Sequence, residues 1–138
     1  MTASTLQAWH RIVESGDSAG LADLLAEDAV FHSPVVHTPQ VGRPLVTSYL
    51  QAATQVLGND SFRYVREIVG HREAALEFEV EVDGIHINGV DLIRWNDDGR
   101  ICDFKVMVRP LKAIGLLHEK MRATLEAAAA ASRAGTPR

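Results

Sequence analysis

Asp91 is the residue whose surroundings point most directly to chemistry. Positions 74–95 read as two alternating strands, Ala74–Val82 and Ile85–Trp95, joined by the two-residue turn Asp83-Gly84. Pairing across that turn sets Val82 opposite Ile85, Val80 opposite Ile87, Phe78 opposite Gly89 and Leu76 opposite Asp91. Strand side chains alternate with period two, so all of these share one face. The other face collects Glu73, Glu77, Glu79, Glu81, His86, Asn88 and Arg94, with Glu81 across from His86 and Glu73 across from Arg94. One side is charged and wet; the other is dry except for a single carboxyl group. Burial disfavours the charged form of an acid, so the pKa of Asp91 is expected to rise, and functional sites are often built in this way.

The remaining candidate groups read differently. His32 adjoins Ser33, but alternation sends the two to opposite faces, so with Phe31 and Ser33 toward a pocket His32 points outward. His37 lies in a Pro-containing loop, where it is solvated or closes over a ligand. His10, His71, His86 and His118 have no mutual metal-ligand spacing and no Cys assists them, so no metal site is expected. Nothing resembling a nucleophile elbow surrounds Ser33, which argues against a Ser33–His32–Asp91 triad. Cys102 reads as a small core residue. Arg109, before Pro110, reads as an anchor for the last helix. With no Gly-rich phosphate loop and no ligand set for metal, no cofactor is expected.

The elements that must position Asp91 follow from periodicity and punctuation. Ser4 is a candidate cap for a first helix carrying Leu6, Trp9 and Val13, which Gly16-Asp17 ends. Asp17 or Ser18 then caps a short second helix reaching Glu27. Ala29–Ser33 reads as a strand stopped by Pro34, followed by a loop through Pro39 to Gly42. A third helix starts near Pro44 and runs to Leu57, with Val46, Tyr49, Leu50, Ala53 and Leu57 on one stripe. Around the hairpin come two further strands, Ser61–Val69 and Arg100–Arg109, the latter after the turn signal Asn96-Asp97-Asp98-Gly99. If Trp95 pairs with Arg100, Phe104 lies opposite Asp91, with Cys102, Val106 and Val108 on the same dry side; a longer bulged loop shifts that register by one. Pro110 opens a last helix through Leu111, Ile114, Leu117, Met121 and Leu125, which Ala127–Ala131 prolongs. Helices followed by an antiparallel meander predict an α+β fold. The chain is expected to form one domain over 1–138, with its core at 4–131 and a disordered tail at 132–138.

Bulk composition narrows the partners. A chain of 138 residues can bury one core without metal or disulfide staples. It is 46% hydrophobic and 23% charged, with a net charge of −4 and no basic run, which argues against nucleic acid. The single cysteine permits no internal disulfide and suits a reducing compartment. The N-terminus lacks the apolar stretch of a secretory signal, and no apolar run approaches spanning length, so a cytoplasmic protein without membrane contact is expected. Val90 and Leu92, with Met107 beside them, interrupt the charged outer face, as exposed aliphatic residues at an interface do.

The order of these elements resembles the cone-shaped fold of the nuclear transport factor two-like superfamily. This includes the SnoaL-like cyclases, limonene epoxide hydrolases and ketosteroid isomerases. The resemblance covers roughly Leu6 to Leu117. It rests on Gly16-Asp17, on Asp28-Ala29-Val30-Phe31-His32-Ser33-Pro34-Val35, on Gly42-Arg43, and on Asp91-Leu92-Ile93-Arg94-Trp95 with Asp98-Gly99-Arg100-Ile101. It implies a curved antiparallel sheet wrapped around N-terminal helices, an apolar pocket and a homodimer formed through the outer sheet face. Against the ketosteroid isomerases, Asp91 matches the oxyanion-hole acid that an apolar site keeps protonated. The general-base Asp is replaced by Ser33, the donor Tyr by Trp9, and the tyrosine of the third helix falls near Leu50, beside Tyr49. A true ketosteroid isomerase is therefore not expected. Of the two epoxide hydrolase aspartates only Asp91 is matched, the second falling near Val106. The SnoaL-like cyclases, in which one Asp shuttles a proton, are the best fit. The resemblance thus implies a protein that binds a small hydrophobic molecule and, if it is an enzyme, an isomerase, cyclase or hydratase acting on a carbonyl-containing polycyclic or terpenoid-like compound through Asp91. Trp9, Phe31, Ser33, Tyr49, Phe78, Phe104 and Val106 would line the ligand site. A non-catalytic carrier or sensor, or a dimeric interaction module, is the alternative.

Overall fold

The computed structural model describes residues 2–134. In chain order the elements are α1 (Thr2–Ser15), α2 (Leu21–Leu24), β1 (Leu25–His32), β2 (Gln40–Val41), α3 (Arg43–Leu57), β3 (Arg63–Val69), β4 (Glu73–Val82), β5 (Ile85–Trp95), β6 (Ile101–Arg109) and α4 (Leu111–Ala134). The strands form one curved, unclosed sheet in the order β2-β1-β6-β5-β4-β3, in which only the β1–β6 pair is parallel. The fold is α+β, as the pattern predicts.

The central hairpin has the expected register: Leu76 pairs with Asp91, Phe78 with Gly89, Val80 with Ile87 and Glu81 with His86. Asp83 and Gly84 both take positive φ, 51° and 77°, as a tight two-residue turn requires. Along β4 every second residue is buried, and β5 follows the same alternation with Ile87, Gly89, Asp91 and Ile93 inward. Gly89 has a particular role here. A Cβ at that position would come within 2.4 Å of the Phe78 ring, so the glycine leaves room for that ring against β5.

The β5–β6 register departs from the expectation. Asp91 pairs with Val106 and Ile93 with Phe104, and a bulge between Arg94 and Trp95 sets Trp95 opposite Ile101. The cause is the turn, where the Asn96 side chain accepts from the backbone N–H groups of Asp98 and Arg100, both at 3.0 Å. Moving Phe104 by two positions preserves its parity, so Phe104 and Val106 still face inward. Cys102 does not. The bulge turns Ile101 into the core, fully buried, while Cys102 sits half-exposed with its Sγ 3.6 Å from the Arg94 carbonyl oxygen.

The N-terminal half shows further corrections. Ser4 lies within α1 rather than capping it, and the second helix is a single turn ending at Leu24. Leu25 to Glu27 are strand instead of helix, because Leu25 pairs with Ile101 of β6 and the parallel ladder overrides the helical spacing of the leucines. Residues Gln40 and Val41 form a short edge strand on β1 where a plain loop was expected. At the other end α4 runs through Ala134, and the rest of the expected tail lies outside the described residues.

Two apolar clusters fill the concave side. The first joins α1, α2, β1 and α3 to the sheet through Leu6, Trp9, Leu21, Phe31, Leu50 and Phe104. The second joins Phe78, Val80 and Ile87 to Ala113 and Leu117 of α4. Tyr64 and Val106 pack against both, so they mark the seam between the clusters. Asp91 lies on β5 between Ile93 of the first and Ile87 of the second. Thr5 pins α1 across the end of the sheet by donating to the Gly99 carbonyl at 2.9 Å.

Candidate functional site

Along the seam the helices and sheet do not close, and a cavity of about 860 Å³ remains. This lies within the range of small-molecule sites, which are mostly apolar with a few fixed polar groups. All eight residues singled out from the sequence (Trp9, Phe31, Ser33, Tyr49, Phe78, Asp91, Phe104 and Val106) line it. The aromatic rings form its walls. Trp9 meets Phe104 edge-on at 4.9 Å, and Phe31 lies 5.7 Å from Tyr49. On the far side Phe62 stacks on Phe78 at 5.3 Å. Leu117, Met121 and Leu125 of α4 form the remaining wall.

Asp91 is only 6% exposed, and with Thr5 it makes up the buried polar side chains among the described residues. Its Oδ2 accepts a hydrogen bond from the Tyr64 hydroxyl at 2.6 Å. The Tyr64 oxygen in turn accepts the indole N–H of Trp9 at 3.0 Å. Among the described residues no bond holds Oδ1, yet no sealed side-chain oxygen or nitrogen there lacks a partner. Oδ1 therefore opens onto the cavity that Asp91 lines.

Burial raises the Asp91 pKa to about 7, against the opposing effect of the Tyr64 hydrogen bond, which favours the carboxylate. Tyr64 moves well above its ordinary value, first through burial and then through the negative charge of Asp91. The phenol thus keeps its proton, and the carboxyl is the group of this pair that exchanges one near neutrality.

Tyr64 carried no signal in the sequence. The run Arg63–Val69 mixes charged and apolar residues without alternation, and only the ladder places Tyr64 opposite Phe78 on the inner face. An irregularity between Tyr64 and Arg66 then flips the parity, so Arg66 pairs with Glu77 on the outer face instead of entering the cavity.

Several other candidate polar groups are engaged or lie away from the cavity. The indole N–H of Trp9 is taken up by Tyr64 and does not reach into open space. The Ser33 oxygen accepts from the Val35 N–H at 3.0 Å. His32 faces the outer side, where its Nε2 lies 2.9 Å from Asp103. His37 is exposed and does not line the cavity. At the rim, His10 pairs with Glu67 and sets its ring edge-on to Tyr64 at 5.3 Å. Arg109 reaches Asn88 of β5 at 3.4 Å. Among the described residues no group of three His, Cys, Asp or Glu side chains could hold a metal ion. Among the described residues no helix is long and apolar enough to cross a membrane.

The SnoaL-like domain profile matches residues 6–104, from the first turns of α1 to the middle of β6. The chain belongs to the SnoaL-like domain family. Among solved structures, this SnoaL-like chain resembles one described as a steroid delta-isomerase from Pseudomonas aeruginosa. The two are 40% identical over 94% of each chain, with a TM-score of 0.89. It also resembles an uncharacterized protein with a cystatin-like fold from Silicibacter pomeroyi. That pair is 37% identical over 86% of this chain and 83% of the other, with a TM-score of 0.80. The epoxide hydrolase/cyclase-like enzyme SalBIII shares the fold alone: 17% identity, 78% of this chain and 90% of that one, TM-score 0.64. A comparison with curated proteins returned no match. The fold of this SnoaL-like protein is that of the nuclear transport factor two-like superfamily.

Proposed function

We propose that this protein binds a small hydrophobic, oxygen-bearing molecule in its cone and that Asp91 handles the oxygen. Asp91 acts there as proton donor, proton acceptor or hydrogen-bond anchor. The supporting observation is the open Oδ1 of a buried acid that titrates near pH 7 at the edge of an aromatic cavity. A flat polycyclic or terpenoid-like carbonyl compound suits the walls. The 40% identity to a structure described as a steroid delta-isomerase supports the same class of ligand.

As an enzyme the protein would be an isomerase, cyclase or hydratase in which one carboxyl moves the proton and the substrate supplies the remaining reactivity. Ser33 argues against the two-acid chemistry of a ketosteroid isomerase, because an unactivated hydroxyl cannot remove an α-proton near neutral pH. A carrier or sensor on the same fold is the second reading. It is favoured by the same observation that Asp91 is the buried acid among the described residues, with no second one beside it. The decisive experiment incubates wild type and Asp91→Asn with steroid enones, tetralones and related ketones, following binding and product together. Turnover that disappears in Asp91→Asn supports catalysis. Binding without turnover selects the carrier, and absence of binding to every apolar ketone and phenol refutes the ligand reading.

The outer sheet face is the proposed homodimer surface. Met107 is 48% exposed and pairs with half-buried Val90; Ile68, on the same side, is 62% exposed. A cytoplasmic location agrees with the single cysteine.

A further inference from the structure

We infer that Trp9 and Tyr64 form a one-way hydrogen-bond relay that positions the proton of Asp91 on the oxygen facing the cavity, and so decides which oxygen chemistry the site accepts. The ligand part of this inference rests on the binding role proposed above; the relay itself rests on geometry.

The order of the protons follows from the partners. An indole N–H can only donate, and Trp9 directs it at the Tyr64 oxygen at 3.0 Å. The indole nitrogen offers no lone pair in return. Tyr64 therefore directs its own O–H away from Trp9, to Asp91 Oδ2 at 2.6 Å. Oδ2 being the acceptor, a proton taken up by Asp91 resides on Oδ1, which has no protein partner among the described residues and opens to the cavity. Protonated Asp91 thus presents a donor, suited to a carbonyl or ether oxygen. Ionised Asp91 presents an acceptor, suited to a phenol or enol O–H. One proton exchanges one ligand class for the other. Tyr64 acts through Asp91 and is a positioning residue.

Few other groups compete for this proton. From α1, His10 faces the Tyr64 ring but pairs with Glu67 of β3. From α3 the Tyr49 phenol lines the cavity, and from α4 His118 lies at its rim with Arg122, whose guanidinium is held by Glu119 and Glu126. Glu14, Asp60 and Arg63 complete the rim. The neighbours of Asp91 on β4 and β6, Leu76 and Val106, carry no charge.

The test uses two probes of one shape, 2-acetylnaphthalene as acceptor and 2-naphthol as donor, titrated from pH 5 to 8.5. In wild type the ketone should weaken and the naphthol tighten through one shared midpoint, by up to about tenfold per pH unit. Tyr64→Phe removes a bond that favours the carboxylate, so the midpoint should rise by about one pH unit or more. Naphthol affinity at pH 7 then falls about fivefold or more while ketone affinity at pH 5.5 is unchanged. A merely structural role would weaken both probes at every pH.

Two measurements need no ligand: the carboxyl carbon resonance of Asp91 and the indole N–H resonance of Trp9 in the wild-type protein. Both should titrate with the same midpoint, because the hydroxyl of Tyr64 links them; Trp95 serves as the internal control. An indole signal that stays flat while the carboxyl titrates, or an unmoved midpoint in Tyr64→Phe, overturns the relay. If neither probe binds at any pH, the proposed ligand role fails, and the two resonances still decide the relay. Probe affinities that do not change with pH, alongside a titrating carboxyl, overturn the selection by proton position.

Discussion

Replacing Asp91 by Asn should stabilise the protein, and do so only above a definite pH. An acid whose pKa rises on folding retains in the folded state a proton that the unfolded chain has already released. Between the unfolded value, 3.8, and the folded value of about 7, stability therefore falls as pH rises. Below that window Asp91 contributes nothing, and above it the loss is complete. At ~1.36 kcal/mol per pH unit, the full interval corresponds to about 4 kcal/mol at pH 8. Asn carries no charge, and its carbonyl oxygen can still accept the Tyr64 hydroxyl, so the main change is removal of the penalty. The difference between Asp91→Asn and wild type, from urea unfolding at half-unit steps from pH 4 to 8.5, should open above pH 4 and level off above pH 7. In thermal scans at pH 8 a gain of this size corresponds to roughly 10 °C or more for a domain of this length. A difference that is constant with pH, or a variant less stable than wild type at pH 8, would refute the assignment of Asp91 as a buried acid with a raised pKa.

Three further outcomes are expected. Gly89→Ala should cost about 1–3 kcal/mol in urea unfolding, because the new methyl meets both the Phe78 ring and the Met107 carbonyl; near-ultraviolet circular dichroism should report the displaced ring. His32→Ala should leave probe affinity and any turnover unchanged and cost less than ~1 kcal/mol, since it breaks only a half-exposed pair with Asp103 on the outer face. Loss of turnover in that variant would reverse the outward assignment. Ile68→Glu should convert a dimer to a monomer in sedimentation velocity if the outer face pairs two copies; a wild type that sediments as a monomer at all concentrations refutes the dimer proposal.

The hairpin around Asp91 was legible because three local signals agree there. The Asp83-Gly84 turn, strict alternation on both sides and one misplaced acid leave no other register that keeps the apolar residues together. Alternation likewise sets Phe31, Phe78, Phe104 and Val106 on the cavity side, and a two-residue change of partner leaves the parity of Phe104 intact. Cys102 was lost because a bulge next to a turn reverses parity, and that bulge depends on how the Asn96 side chain ties the turn.

Local periodicity by itself determines which faces are dry, and hence that one carboxyl group must lie among apolar neighbours. It does not determine what that group touches. Tyr64 meets Asp91 across β4, 27 positions away in the chain, and Trp9 reaches Tyr64 from a helix 55 positions away. Leu25 to Glu27 became strand for a similar reason, through a parallel ladder with β6 that no neighbouring residue announces. Hydrogen-bond partners of this kind are chosen by the curvature of the sheet and the seating of α1 upon it. Those are properties of the assembled fold, where long-range packing outweighs the preferences of any short segment.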